Sequence, residues 1–328
     1  SAALLTMALK SAGVSAVSRN AWQLEILSTD LYNNARIKDI NTKKLLSDLD
    51  TYNVVVVTGF QGITDSGNMT TLGRGSSDTL AVAIAAKLKV DCEIYSDVAG
   101  IYAFDPNKIA GIKKLSYVQY DDMLELAALG AKVLHSRAVE VAKRYNVKLY
   151  CGSTFSDERG TYIVAQLPEW VEQPVVTGLA VDRRQTQFTL KGLLHTENVL
   201  SALFEALTGV ANVDMITALG NDISFTVKEA DREWVDSAVR KKLENHAGWD
   251  IEIVDDVTKV SAVGVGMSTA TGVAGRFFSA LRRGKIDVLS VSTSEINISA
   301  LLNTNQSDQA VMSLAKEFDL MEQADIDR

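Results

Sequence analysis

The chain has 328 residues, of which 47% are hydrophobic, and a net charge of −8. This length and hydrophobic content are enough for two or three globular domains, each with its own core. The acidic balance argues against a nucleic-acid partner, because binding phosphates needs a basic face. No apolar run approaches the length of a bilayer span, so we expect no membrane partner. Cys92 and Cys151 form no C-x-x-C pair, which argues against a disulfide scaffold or zinc site and favours a cytoplasmic protein.

Helical and strand patterns alternate through residues 1–166. Residues 1–12 read as an amphipathic helix without the basic start of a signal peptide. The run "NVVVVTGF" has no polar alternation and predicts an inner strand covered on both faces. The other predicted elements are strands at 16–18, 92–97 and 147–152, and helices at 41–50, 77–88, near 120–129 and at 134–145. This alternation predicts a three-layer, mainly parallel α/β domain.

The second half follows a different pattern, and the pattern repeats. The segment "QLPEWVEQPVV" separates it from the first half, and Val199 then corresponds to Val273 as Ile223 does to Ile298, an offset of 74 or 75 residues. Each copy predicts a βαββαβ unit, so two small sandwiches should pack together. The predicted elements are 186–192, 198–208, 213–218, 222–227 and 231–245, then 259–265, 271–283, 287–291, 295–302 and 306–318. The predicted domains are 1–166, 175–254 and 255–328.

The stretch "TLGRGSSD" stands before the predicted helix at 77–88. The free N–H groups and positive dipole end of such a helix attract anions, and Arg74 adds a forked donor suited to carboxylate or phosphate. The stretch is neither a P-loop nor G-x-G-x-x-G. The alternative is local: Ser77 as the N-cap and Asp78 as compensation for the helix dipole. Both interpretations stay open at this point.

Other polar residues follow predicted strands, where open parallel sheets bind ligands. "TGFQG" follows the strand at 54–57, and "YSDVAGIYAFDP" supplies Asp97, Tyr102 and Asp105. "GAKVLHSRAVE" offers Lys132 and His135, which by themselves are typical of a solvated charge and a helix cap. No catalytic triad or metal-ligand spacing is present. The residues alone therefore predict an anion pocket on an α/β domain, and no substrate.

Four segments, taken in order, carry a resemblance to a known family: "VVVTGFQGITDSGNMTTLGRGSSDTLAVAIAA", "IYSDVAGIYAFDP", "LELAALGAKVLHSRAVEVAKRYNVKL" and "STFSDERGTYI". Together they resemble aspartate kinases of the amino-acid kinase family, and "VSAVGVGM" with "STSEINISALL" resembles the tandem ACT domains of those enzymes. The resemblance implies phosphoryl transfer from MgATP to the side-chain carboxylate of L-aspartate, giving 4-phospho-L-aspartate. This reaction opens the biosynthesis of lysine, threonine and methionine.

The resemblance also implies roles for individual residues. Arg74 would clamp the substrate α-carboxylate, with Asp78 as the second catalytic residue facing the ammonium group or ordering the phosphoryl site. The implied aspartate-binding set is Phe60, Arg74, Ser77 and Asp78. The implied nucleotide-binding set is Ser96, Asp97, Tyr102 and Lys132. Chemistry in such a site is mostly alignment and charge neutralisation, with ATP and Mg²⁺ as cofactors and no separate metal site on the protein.

The sequence departs from the family pattern in ways that leave two functions open. The family's N-terminal K-F-G-G-T-S motif, whose lysine stabilises the transferring phosphoryl group, has no counterpart, and Ser76 stands where a second glycine is usual. Either the chain is a working kinase whose N-terminal segment is absent here, or it is an inactive, amino-acid-sensing regulatory subunit. A related glutamate or carbamate kinase is disfavoured by the ACT pair.

The regulatory half departs from the family as well. Its effector loops usually read D-x-P-G, whereas here they are "HTEN" at 195–198 and "TATG" at 269–272. Lysine or threonine is the candidate effector, and Met215, Ile216 and Ala218 are the strand positions expected to line its site. The ACT pair also implies a homodimer or a higher homo-oligomer.

Overall fold

The computed structural model describes residues 1–130, 134–193, 196–246 and 248–322. The chain divides into two compact units, described separately below. Residues 1–101, 114–128 and 132–172 form the first unit, and residues 102–113, 129–131 and 173–328 form the second. In the part of the chain that the structure describes, no helix is long and apolar enough to cross a membrane.

The first unit alternates short strands with helices, as the sequence predicts. Its helices are α1 (Ala2–Ser11), α2 (Thr42–Leu49), α3 (Ser76–Leu88), α4 (Tyr120–Ala128) and α5 (Ser136–Tyr145). Its strands are β1 (Ala16–Arg19), β2 (Ile26–Ser28), β3 (Ile37–Ile40), β4 (Val54–Val57), β5 (Gln61–Ile63), β6 (Met69–Thr71), β7 (Cys92–Ser96), β8 (Tyr117–Gln119), β9 (Leu149–Ser153) and β10 (Thr161–Val164).

These strands form three small sheets with mixed pairing. β1 pairs with β4 in parallel; β7, β9, β10 and β8 form the second sheet in that order; and β3, β2, β5 and β6 form the third. The expectation of an inner strand is wrong for the valine run, because β4 pairs only with β1 among the described residues. All four valines are nevertheless half-buried. Continuous hydrophobicity reports covered faces and does not reveal whether the edges are paired.

Helix α3 belongs to two hydrophobic cores at once. Val82 and Ala85 pack with α4, α5 and the sheet of β7–β10, whereas Leu80 packs with β2, β3 and β5. A helix buried on two sides has little freedom to shift, since each core loses contacts if it moves. The position of its N-terminus is therefore fixed by the packing of the whole unit.

A buried ion pair ties β1 to α2. Arg19 donates to Asp48 through Nε at 2.6 Å and Nη2 at 2.8 Å. The Asp48 side chain is only 5% exposed. The hydrogen bond from Arg19, helped by Lys44, lowers the pKa of Asp48 to about 2 despite burial. The carboxylate stays charged over the ordinary pH range and holds the helix against the strand.

The second unit is built on one antiparallel sheet of six strands, in the order β12-β13-β11-β14-β16-β15. Its strands are β11 (Gly178–Lys191), β12 (Asp214–Leu219), β13 (Asp222–Lys228), β14 (Asp250–Val263), β15 (Val288–Thr293) and β16 (Asn297–Asn303). Its helices are α6 (Thr196–Leu207), α7 (Arg232–Leu243), α8 (Val273–Arg283) and α9 (Ser307–Glu317). The two-copy pattern of the sequence appears here as two similar halves of one sheet.

The two central strands each serve both halves. The start of β11, from Gly178 to Asp182, pairs with the end of β14, while its later part, from Gln185 onwards, pairs with β13 as well as with β14. The pairing shifts between Asp182 and Gln185, where Arg184 has a φ of 59°. The strands predicted at 186–192 and 259–265 are therefore too short, and β14 continues across the predicted boundary at 254/255. The domain bounds themselves stay a prediction.

Candidate functional site

The N-terminus of α3 is formed by the glycine-flanked loop that the sequence singled out. Gly75 is the N-cap in a left-handed conformation (φ 68°), and it has no side chain with which to cap the first turn. The interpretation of Ser77 as the N-cap is therefore wrong, because the helix begins one residue before it. In the part of the chain that the structure describes, the first-turn N–H groups have no side-chain partner, and this is the arrangement that attracts an anion.

Gly75 is required by a close approach as well as by its φ angle. A Cβ atom placed on it would lie 2.4 Å from Cδ2 of His135, which no side chain could tolerate. His135 precedes α5 as its N-cap and does not use its side chain for capping. The imidazole instead packs against the turn that starts α3. The sequence identified His135 only as a cap, because this contact spans 60 residues.

The "TGFQG" loop packs on the same helix end. A Cβ atom on Gly59 would lie 2.7 Å from Oγ of Ser77, so the loop backbone passes directly over the first turn of α3. Phe60 adopts a φ of 71°, unusual for a bulky residue, and the residue is 44% exposed. The structure thus brings the Phe60 loop, predicted to wall the pocket, to the helix end that carries Ser77 and Asp78.

Arg137 holds the other side of the glycine loop. Its Nη1 donates to the carbonyl of Leu72 at 2.7 Å, and its Nη2 donates to the carbonyl of Ala35 at 2.8 Å. Asn34 also lies against the loop, because a Cβ on Gly73 would be 2.7 Å from its Oδ1. Sequence reasoning missed this clamp, whose only signal is an arginine in "HSRA".

Two charged residues at the helix end differ in their surroundings. Arg74 is exposed, and within the described ranges its guanidinium makes no hydrogen bond or ion pair. Asp78 is half-buried, and burial raises its pKa, while the nearby charge of His135 acts in the opposite direction. An unpaired guanidinium beside a carboxylate suits a ligand that carries both an anionic and a cationic group.

The predicted nucleotide residues Ser96 and Asp97 lie where two parallel strands end together. Ser96 of β7 is in register with Ser153 of β9, and each hydroxyl accepts from a backbone N–H two residues later, at 3.3 Å and 2.9 Å. Asp97 is exposed just beyond this edge. Tyr102 is half-buried and belongs to the second unit, and Lys132 lies outside the described residues.

The N-terminus of α3 lies close enough to the sheet of β7 and β9 for the charge of Asp78 to act on a residue of β9. Burial, followed by the charge of Asp78, raises the pKa of Cys151 on β9 to about 12. In the same region Ser76 Oγ, Thr79 Oγ1 and Gln61 Oε1 are buried without a partner in the described part of the chain. Ser76, which replaces the usual second glycine, keeps its hydroxyl buried and does not project into the open side of the loop.

The predicted effector positions lie on β12, an edge strand of the second unit. Met215 is buried with a φ of 47°, Ile216 is 52% exposed and Ala218 is exposed. The strand is bulged between Asp214 and Thr217, and the carboxylate of Asp214 forms a salt bridge with the buried Lys259. The first predicted effector loop, "HTEN", begins outside the described residues.

Comparison with known proteins matches both halves of the chain. The model of the amino acid kinase family matches residues 1–153, and an ACT domain model matches residues 260–318. An aspartokinase of Bacillus sp. (strain MGA3) is 42% identical over 327 residues, covering 97% of this chain and 79% of that protein. The crystal structure of E. coli aspartokinase III with aspartate and ADP (R-state) aligns with a TM-score of 0.78 at 25% identity, over 97% of this chain and 73% of that one. The same E. coli enzyme with lysine and aspartate (T-state) aligns with a TM-score of 0.77 at 26% identity, over 97% and 72%.

The contact between Gly75 and His135 predicts how two glycine variants differ. Gly75→Ala should cost several kcal/mol of unfolding free energy, since left-handed strain of about 1 kcal/mol adds to a steric clash of about 1–3 kcal/mol. Gly67→Ala is the matched control, because Gly67 has a φ of 81° with nothing within 4 Å of its Cβ position. When His135→Ala is added to Gly75→Ala, urea unfolding should show that the part of the unfolding free energy lost to the steric clash is regained. Equal losses for the two glycine variants would contradict the packing.

Proposed function

The chain belongs to the aspartate kinase family, and on that premise we propose that it transfers the γ-phosphoryl group of MgATP to the side-chain carboxylate of L-aspartate. The single observation that carries the proposal is the unpaired Arg74 beside the uncapped N-terminus of α3. Support comes from the E. coli relative, whose structure holds aspartate and ADP. The product is 4-phospho-L-aspartate.

Arg74 and Asp78 recognise the two charged groups at the α-carbon of the substrate. The guanidinium of Arg74 donates two hydrogen bonds to the α-carboxylate, and the free N–H groups of α3 add partial positive charge. Asp78 accepts from the ammonium group and must be ionised to do so. Ser77 completes the polar wall, and the exposed ring of Phe60 covers the substrate's carbon chain.

The nucleotide lies at the carboxyl ends of β7 and β9 in this proposal. Ser96 and Asp97 bind it there, and Ser153 is an additional candidate from the same edge. Tyr102 and Lys132 are assigned to the nucleotide from the family resemblance alone. The glycine-lined loop and the uncapped first turn of α3 fit a phosphate approaching the helix end. Mg²⁺ enters with ATP as part of the substrate and neutralises phosphate charge.

The chemistry then needs alignment more than an activated nucleophile. The side-chain carboxylate of aspartate is already a nucleophile at neutral pH, so the protein orients it in line with the γ-phosphate. Arg74 fixes one end of the substrate and the Phe60 loop limits access of water. A cytoplasmic location is part of the proposal, supported by the two free, buried cysteines.

Replacing Arg74 tests the assignment. Arg74→Ala should raise the KM for aspartate about 10- to 100-fold, the effect of losing a charge-assisted hydrogen-bonded pair, with the KM for ATP nearly unchanged. Acyl phosphate trapped as the hydroxamate reports the reaction. Arg282→Ala, at an exposed arginine of the second unit, is the matched control.

The same assay separates the two functions that the sequence left open. It is run on this 328-residue chain and on the same chain preceded by the family's K-F-G-G-T-S segment. Hydroxamate from the extended form supports the kinase, and its absence from both forms, with amino-acid binding retained, supports an inactive sensor. Equal weakening of aspartate and ATP by Arg74→Ala would assign that arginine to the nucleotide.

We also propose that the second unit binds lysine or threonine along β12, at Met215, Ile216 and Ala218, and that it assembles the chain into a homodimer or a larger homo-oligomer. The support is the exposed, bulged edge strand together with the lysine-bound E. coli relative. Calorimetric titration of each amino acid tests the sensing role. We expect binding heat with one of the two amino acids and loss of that heat in the Ile216→Asp variant. If neither amino acid gives binding heat, the second unit has no sensing role for them.

A further inference from the structure

The first unit contains a cavity that is separate from the proposed substrate site. It has a volume of about 340 Å³ and lies between β3, α3 and α5. Thr79, Ala83 and Ala86 contribute one face of α3, whereas Arg74, Ser77 and Asp78 are not among the lining residues. The volume is at the lower end of the range for sites that hold small molecules.

Pairing within the structure leaves this cavity with an excess of positive charge. Lys38 is neutralised by Asp65 at 2.6 Å, and Lys87 is neutralised by Asp39. The charged lining residues left over are three arginines and one carboxylate: Arg36, Arg137, Arg144 and Glu140. Across the described ranges, the side chains of Arg36 and Arg144 make no hydrogen bond or ion pair.

Arg137 is the fixed member of this group. Its two bonds go to the carbonyls of Leu72 and Ala35, which hold the guanidinium in place without cancelling its charge. Burial and then the like charge of Arg36 lower the pKa of Arg137, while Glu140 opposes the shift. Positive groups held near one another in a partly buried space are stabilised by an anion between them.

We propose that this cavity binds a small anion bearing carboxylate or phosphate groups, held by Arg36 and Arg144 against the fixed guanidinium of Arg137. Thr79, whose buried Oγ1 has no partner in the described part of the chain, lines the same cavity. Arg137 also donates to the carbonyl of Leu72, next to the loop that carries Arg74. The arginine that would contact the bound anion therefore also supports that loop. The site does not depend on the reaction proposed above.

The test uses the full chain with Arg74→Gln as the background, which removes the guanidinium at the glycine loop and so weakens anion binding there. Inorganic phosphate and succinate are titrated separately by calorimetry. We expect one anion per chain in this background, and an affinity at least about tenfold lower once Arg36→Gln and Arg144→Gln are added. Preference for phosphate or for succinate identifies which of the two chemistries the ligand carries.

A matched control keeps the test specific. Arg282→Gln in the Arg74→Gln background removes one exposed positive charge in the second unit and should leave the affinity unchanged. Circular dichroism and thermal unfolding without anion establish that each variant is folded. Equal affinity with and without the Arg36 and Arg144 substitutions would overturn the proposal, as would the absence of binding of both anions by the Arg74→Gln chain.

Discussion

The packing of His135 on Gly75 is the constraint on which the proposed site depends. It leaves no room for a side chain at Gly75, whose left-handed backbone forms the N-cap at which α3 begins. Among the described residues, no serine or aspartate side chain caps the first-turn N–H groups, which follow Arg74 directly in the chain. A serine or aspartate cap would stabilise the helix by about 1 kcal/mol and would occupy the N–H groups that the proposed site uses for an anion.

The rest of the first unit holds this turn in position. Helix α3 packs into two cores, through Leu80 on one side and Val82 on the other. Arg137 ties the preceding loop to the Ala35 carbonyl, so the loop is held from both directions. The loop of Gly59 and Phe60 adds a third contact to the same helix end, because Gly59 packs against Ser77. A site whose supports come from separate parts of the chain keeps its geometry while the substrate changes charge.

Much of this arrangement could be predicted from the sequence, because it depends on patterns among residues that are close together in the chain. The helix at 77–88, the strand at 92–97 and the repeat in the second half follow from periodicity and self-similarity, and the structure has each within a few residues. The short strands β2, β3, β5, β6, β8 and β10 were missed, because three or four residues carry too little pattern. The contacts of His135 and Arg137 were also missed, since they join residues 60 to 102 positions apart.

The second unit shows a different limit of sequence reasoning. Each βαββαβ copy was recognised, but not that β11 and β14 run through both halves of one sheet. Self-similarity of the sequence shows which segments repeat. Whether one strand pairs within both copies depends on the pairing register between the copies, which the sequence pattern does not show. Sharing couples the two halves mechanically, because neither can shift without disturbing strands that also serve the other.

The central claim is that Arg74 and the start of α3 together hold the substrate's carboxylate. The most direct measurement is a crystal structure of the chain soaked with aspartate and a non-hydrolysable ATP analogue. The account predicts the α-carboxylate on the Arg74 guanidinium, within hydrogen-bonding distance of the first-turn N–H groups, and the nucleotide at the ends of β7 and β9. Both ligands bound elsewhere would contradict it.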